Sequence, residues 1–176
     1  NYVLNSAKGP EGDITSLLRH QDRNERFSLA DENNLKSKEE IILTFSDVKK
    51  NQNLGLQITF RQTLMTTYFI YSALDYAGGK VSDYIALLES DPELLNMLHG
   101  GIAKELGKVD IYVWDETSEE WLFQDGFYET GPIALNHQIL PLHLNQYSDS
   151  VKIKIVLNKG LWRLDHIGLT NIIKKV

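Results

Sequence analysis

The residues best suited to chemistry in this chain are aromatic. Tyr112, Trp114, Trp121 and Tyr128 lie in or beside one short segment, with Asp115, Glu120 and Asp125 around them. Aromatic rings receive the C–H faces of a pyranose, and neighbouring polar side chains bond its hydroxyls. That chemistry is recognition rather than reaction. The competing expectation is that rings of this kind fill a core, as Trp162 is expected to do beside Leu164. Arg163 and Asp165 then fall on the opposite strand face, close enough to pair.

Signatures of catalysis are missing from the sequence. It holds no G-x-S-x-G elbow and no G-x-G-x-x-G after a strand, and Gly78-Gly79 and Gly100-Gly101 lack the lysine and hydroxyl of a phosphate loop. Asp165 and His166 are adjacent and point to opposite faces of a strand, which argues against a dyad. With 24 acidic residues, carboxylate pairs at glycosidase spacing arise somewhere by number alone. The expectation is a non-enzyme. Zero cysteines exclude disulfides, thiolate nucleophiles and cysteine-ligated metal. His20, His99, His137, His143 and His166 form no H-E-x-x-H or His-x-His pair, so no metal centre is expected. Asp13, Asp22, Asn24 and Asp31 offer hard oxygen ligands for a structural calcium ion, at spacings that match no EF-hand; otherwise no cofactor is expected.

The elements that must position these residues follow from periodicity. The 176 residues fit one domain. Ile41, Leu43 and Phe45 alternate with polar residues, then Leu54, Leu56, Ile58 and Phe60, then Val109, Ile111 and Val113, and last Val151, Ile153, Ile155 and Leu157. Trp121 to Phe123, Ile139 to Leu144 and Leu161 to Ile173 supply further strands, and Ile14 to Leu18 and Arg26 to Leu29 are short strand candidates. Between residues 63 and 107 the period becomes helical. Leu64 to Ala77 reads as a helix ended by Gly78-Gly79, and Val81, Ile85 and Leu88 as a short amphipathic segment. Asp91-Pro92 starts a helix carrying Leu95, Leu98, Ile102 and Leu106, which Gly107 stops. The strand from Val109 has apolar side chains on both faces, which predicts that the helical insertion covers its outer side.

The expected fold is therefore a mainly β, antiparallel two-layer sandwich over residues 1–176 with a helical insertion at 63–107. Net charge is -6 at 18 basic residues, with pI about 5.3 and mean hydropathy -0.28. That balance removes the broad basic footprint of a nucleic-acid binder. No run of about 18 apolar residues exists to insert into a membrane. The chain opens at Asn1 without a basic or apolar leader and reads as an excerpt of a longer protein.

Three stretches carry a family resemblance: VDIYVWDETSEEWLF, ETGPIALNHQILPLHL and SVKIKIVLNKGLWRLDHIGL. A strand ending in Trp-Asp, a hairpin into a second tryptophan, a Gly-Pro-Ile turn and a closing Gly-Leu-Trp-Arg-Leu-Asp strand resemble jelly-roll domains of the galactose-binding-like kind, found as ancillary modules of bacterial exported proteins. Leu161 stands at a place such strands often fill with an aromatic residue. The resemblance spans about Val109 to Leu169, and the helical insertion departs from it. It implies a non-catalytic module that binds carbohydrate or protein, attached to a secreted or lipid-anchored protein at the cell surface, in the periplasm or outside the cell. The ligand-binding residues expected are Tyr112, Trp114, Trp121 and Tyr128. The alternative is a structural or oligomerisation domain that uses the aromatic-rich Leu64 to Tyr76 segment, with a carbohydrate-active hydrolase third; the sequence leaves the oligomeric state open.

Overall fold

Alternation of apolar and polar residues becomes alternation of buried and exposed side chains along the strands of a computed structural model, which describes residues 1–49, 53–127, 132–144 and 149–172. The chain is mainly antiparallel β, with ten described strands in two sheets and a helical segment. The strands are β1 (Ser6–Gly9), β2 (Gly12–Asp13), β3 (Arg26–Phe27), β4 (Lys38–Ser46), β5 (Leu54–Gln62), β6 (Val109–Asp115), β7 (Glu120–Phe127), β8 (Asn136–Pro141), β9 (Ser150–Asn158) and β10 (Trp162–Asn171). One sheet runs β2-β1-β4-β9-β6-β7 and the other β3-β10-β5-β8.

A sandwich-like body results because the two inner faces share one core. Ile41, Leu43, Phe45, Ile153 and Ile155 of the larger sheet join Leu56, Ile58, Phe60, Leu164 and Ile167 of the smaller. Phe60 of β5 meets Phe127 of β7 at 5.2 Å between ring centroids and Trp162 of β10 at 5.9 Å, so aromatic contact crosses between the sheets. At one edge the interior is ionic. Arg26 of β3 and Glu39 of β4, both buried, form an ion pair; Arg26 also chelates Glu11 at 2.8 and 2.9 Å, and the second Glu39 oxygen accepts from Leu29 N at 3.0 Å. Each charge meets several partners, which is the condition for keeping it out of water.

Two local expectations need correction. Ile14 to Leu18 is not a strand; Thr15–Leu18 forms a helical turn, α1. The Asp13 carboxylate accepts from Thr15 N at 2.9 Å and from its hydroxyl at 2.5 Å, and so draws the backbone out of the ladder. The strand at Arg26 stops at Phe27, because Leu29 N is taken by Glu39. Strands β1 and β2 lie in a polar stretch without alternation and went unpredicted.

The helical segment occupies the predicted place: α2 (Leu64–Ala77), a 3-10 turn (Gly78–Lys80), α3 (Val81–Ser90) and α4 (Pro92–Leu106). Thr63 caps α2 by accepting from Met65 N at 3.3 Å, and Asp91 caps α4 by accepting from Glu93 N and Leu94 N at 3.0 and 3.1 Å. Gly107 ends α4 at φ 73°; a Cβ there would fall 2.0 Å from Asn158 Oδ1, so only glycine fits.

The described residues of this segment do not show the expected covering of the β6 outer face. Among the described residues of the three helices only Thr66 is buried, while Tyr68, Tyr71 and Tyr76 are 65, 67 and 97% exposed. Among those described residues, half-buried Phe69 packs on the core cluster. The sequence of α2 explains this: Leu64, Tyr68, Phe69, Ile70, Tyr71, Leu74 and Tyr76 surround the helix instead of forming one stripe, so no single docking could bury them all.

Candidate functional site

Strands β6 and β7 form a hairpin whose turn is held by Asp115. Its carboxylate accepts from Thr117 N at 3.1 Å and from the Ser118 hydroxyl at 3.2 Å, and Glu119 takes a left-handed φ of 54°. The register sets Trp114 opposite Trp121 and Tyr112 opposite Phe123. A bulge follows, since Ile111 pairs with Asp125 and Gln124 is the extra residue. The Gln124 amide is put to use there: Oε1 accepts from His143 N at 2.6 Å and Nε2 donates to Leu122 O at 3.3 Å.

On β6, Ile111 and Val113 turn into the core, so Tyr112 and Trp114 stand on the outer face of the six-stranded sheet. Trp114 and Trp121 meet edge to face with centroids 5.3 Å apart, and Tyr112 and Phe123 do the same at 5.4 Å. Each such pair contributes about 0.5–1.5 kcal/mol beyond area burial. Lys154 of β9, opposite Tyr112, holds its ammonium 5.2 Å from the Tyr112 ring centre and 5.1 Å from that of Trp121, with Glu40 at 3.6 Å. Lys108 does the same over Phe123 at 5.0 Å. Tyr112, Trp114 and Trp121 are half-buried and Phe123 is 50% exposed.

The structure thus brings together three of the four predicted aromatic residues on an outer surface, while Tyr128 lies outside the described residues. Phe123 and the two lysines were missed. Alternation from Trp121 places Phe123 on the same face, a signal present in the sequence. Lys154 comes from a strand distant in the chain, and only the pairing reveals it. Of the expected polar neighbours, Asp115 serves the turn, Glu120 pairs opposite it in register, and exposed Asp125 accepts from Gly126 N at 2.8 Å.

Beside the Trp114 end lies a hollow of about 30 Å3, room for little more than a water, lined in part by Asp115, His143, Leu144 and Lys152.

Other predicted residues have different occupations. Trp162 is buried in the core, as expected. Arg163 does not pair with Asp165. Glu25 takes it at 2.8 Å together with a bidentate Arg61 at 2.7 and 2.9 Å, and the Arg163 guanidinium lies 4.2 Å from the Phe27 ring centre. Asp165 is instead buried at a bulge of β10 and accepts from Arg23 N at 2.9 Å. Asp13, Asp22 and Asp31 each accept backbone N–H groups of their own turns, and among the described residues no three His, Asp or Glu converge to hold a metal ion.

Pairing also brings His137 and His166, distant in sequence, to either side of Thr59. The Thr59 hydroxyl shares a hydrogen bond with His137 Nδ1 at 2.9 Å. Burial pushes the His166 imidazole below the ordinary histidine range; Asp165 opposes this, and His20 and His137 add to it. The His99 side chain lies outside the described residues.

Compared with protein-family models and with curated proteins, the chain matches none.

Proposed function

We propose that this chain is a non-catalytic binding module whose outer six-stranded face recognises carbohydrate. The observation that carries the reading is the convergence of Tyr112, Trp114, Trp121 and Phe123 with Lys154 and Lys108 on the outer face of the six-stranded sheet. A sandwich exposing aromatic side chains on a sheet face offers apolar ring surface flanked by donors, the combination that suits a sugar. Lys154 sits over two of the rings. Stacking a sugar there means moving a flexible side chain whose cation–π contact is worth about 0.5–1 kcal/mol at an exposed site, a cost that a few sugar hydrogen bonds offset. The jelly-roll architecture of the galactose-binding-like kind, and attachment to an exported bacterial protein, belong to the same proposal and rest on the Val109 to Leu169 resemblance.

A glycan-array screen of the purified chain tests it, with Trp121→Ala beside the parent. Binding of one sugar class that Trp121→Ala weakens at least tenfold, without loss of fold, is expected. Binding that is unchanged in Trp121→Ala would move the site elsewhere, and an empty array would remove the reading.

A second reading has its own observation. Exposed Tyr68, Tyr71, Tyr76 and Met97 form more apolar surface than a helical segment of a monomer ordinarily shows to water, which supports an interaction domain that meets protein through α2–α4. Solution mass across a concentration series tests self-association: a dimer that Tyr71→Glu dissociates supports this reading, and a monomer at all concentrations removes self-association.

A further inference from the structure

Helix α2 has one side turned to the body and one turned to water. Buried Thr66 and half-buried Phe69 mark the first. At about 3.6 residues per turn, Leu64, Tyr68, Tyr71 and Asp75, spaced i, i+4, i+7 and i+11, fall together on the other. All four are exposed. This is the spacing of a seam between two helices, with Asp75 as its one charged position.

The two ends of the helix are complementary. Beside its N-terminus Phe27, Thr63, Leu64, Met65, Gly160 and Arg163 line a hollow of about 360 Å3. The Arg163 guanidinium lies 4.2 Å from the Phe27 ring centre, and Glu25 is shared between Arg163 and Arg61, one carboxylate for two guanidiniums. At the C-terminal end stand exposed Asp75 and Tyr76. A carboxylate suits a guanidinium and the positive end of a helix, and an aromatic ring suits a hollow lined by Phe27, Leu64 and Met65. A helix that carries both halves of a contact at opposite ends meets the condition for a two-fold interface, in which residue i touches j and j touches i.

We propose that the α2 helices of two copies of this chain pair antiparallel about a two-fold axis beside Tyr68. Each Leu64 then meets the other copy's Tyr71. Asp75 lies about 10 Å along the helix from Tyr68, just past the level of the other copy's Thr63, where it meets the Arg163 side of the hollow and Tyr76 fills the apolar side. The proposal rests on the reading of this chain as an interaction domain and names its partner.

Exposed area supports a second copy. Taking about 200 Å2 for a whole aromatic side chain, Tyr68, Tyr71 and Tyr76 offer roughly 450 Å2. Leu64, Met65 and Phe27 bring the total to roughly 750 Å2, close to the about 800 Å2 per partner of a standard interface. A lipid surface is the poorer fit, because α3 and α4 present exposed Asp83, Glu89 and Glu93, which anionic headgroups repel.

The chain has no cysteine, so single introduced thiols report on the pairing without background. Sedimentation of the whole chain across a concentration series should show one copy passing to two. Under mild oxidation Tyr68→Cys should cross-link to itself, and a mixture of Leu64→Cys and Tyr71→Cys should cross-link far more than either variant alone. Met97→Cys, as exposed as Leu64 but on α4, should stay uncrosslinked. Asp75→Lys should weaken dimerisation about tenfold. Every position changed lies in solvent in a single copy, so the fold should persist, and an unchanged circular dichroism spectrum checks that. A monomer at every concentration would remove the pairing and self-association together. A dimer cross-linked through Met97→Cys and not through Tyr68→Cys would overturn the pairing and leave an interaction domain that uses another part of the helices. Ever larger species would overturn the two-fold, since an isologous contact closes at two copies. Dimerisation unmoved by Asp75→Lys would overturn the antiparallel register. Flotation of the monomer with phosphatidylcholine vesicles, lost in Tyr71→Glu, would give the seam to a lipid surface instead.

Discussion

Strands β4, β5, β9 and β10 bury Phe45, Phe60, Ile155 and Trp162 completely, whereas α2, α3 and α4 leave Tyr68, Tyr71, Tyr76 and Met97 largely in solvent. Both regions are rich in large apolar residues. The difference is geometric. A strand sends alternate side chains to one face, so a period-2 pattern collects Ile41, Leu43 and Phe45 against a partner sheet. Helix α2 carries its apolar residues around its whole circumference, and no one neighbour can take them all. Apolar content alone therefore does not make a core. It makes one only where the element's period gathers it to one side. Local opening should also differ, because a segment with few buried contacts opens at lower free energy than the sheets it leaves.

The largest effects should come from the interior of the two-sheet body. Trp162→Ala should cost about 3–5 kcal/mol, since it removes a fully buried ring and its contact with Phe60. Arg26→Met should cost a similar amount, about 3–5 kcal/mol, because it strands the buried Glu39 carboxylate without its partner. Urea unfolding with each variant measures both. A loss below 1 kcal/mol in either case would mean that the body is packed less tightly than its burial indicates.

Next comes the outer face. Trp121 is half-buried and has the Trp114 edge and the Lys154 ammonium as partners. Trp121→Ala should therefore cost about 1–2 kcal/mol, within the ordinary range for single substitutions and well under Trp162→Ala. Equal losses in the two variants would show that Trp121 is a core residue in effect and weaken its assignment to ligand.

Why some of this was legible in the sequence and some was not follows from the range of the interactions. Alternation in β4, β5, β6 and β9, the Asp91-Pro92 start of α4 and the Gly78 and Gly107 stops are local signals, and each element stands where they put it. Asp13 turned a predicted strand into α1 through a side-chain bond that no period encodes. The coupling of Arg163 to Glu25 and the meeting of His137 and His166 across Thr59 join residues distant in the chain. Sheet order decides such meetings. For the candidate site, Tyr112, Trp114 and Trp121 were legible because one hairpin holds them, and Lys154 was not because β9 supplies it.

A smaller effect depends on pH. His166 has its folded-state pKa depressed, chiefly by burial, and its Nδ1 is buried without a hydrogen-bond partner. Above the ordinary histidine value of about 6.5 the imidazole is neutral in both folded and unfolded chains, and its contribution is fully present. As pH falls below that value the unfolded chain takes up the proton first, so stability declines until the folded pKa is passed. Glu11, held below the usual carboxylate range by its hydrogen bond to Arg26, adds a second decline that begins only near the carboxylate region. Urea midpoints at pH 7.5, 6 and 5 should fall in the parent and fall less in His166→Gln. Parallel curves would show that the histidine is not the group titrating.

The smallest effect is expected at the tip of the contrast, Tyr76, which is 97% exposed. Tyr76→Ser should leave the stability of a monomer within about 0.5 kcal/mol, since the ring has almost no contacts to lose. The same substitution separates the two functional readings. If the outer face is the working surface, glycan binding by Tyr76→Ser equals that of the parent and so does the solution mass. If α2–α4 form a protein contact, an exposed tyrosine is the kind of residue that anchors one, and its loss weakens association while binding at the sheet face is untouched. A stability loss above 1 kcal/mol in a monomer would contradict both outcomes. It would mean that the ring is covered within the chain itself, and the contrast between a packed body and an unpacked helical segment would then have to be redrawn.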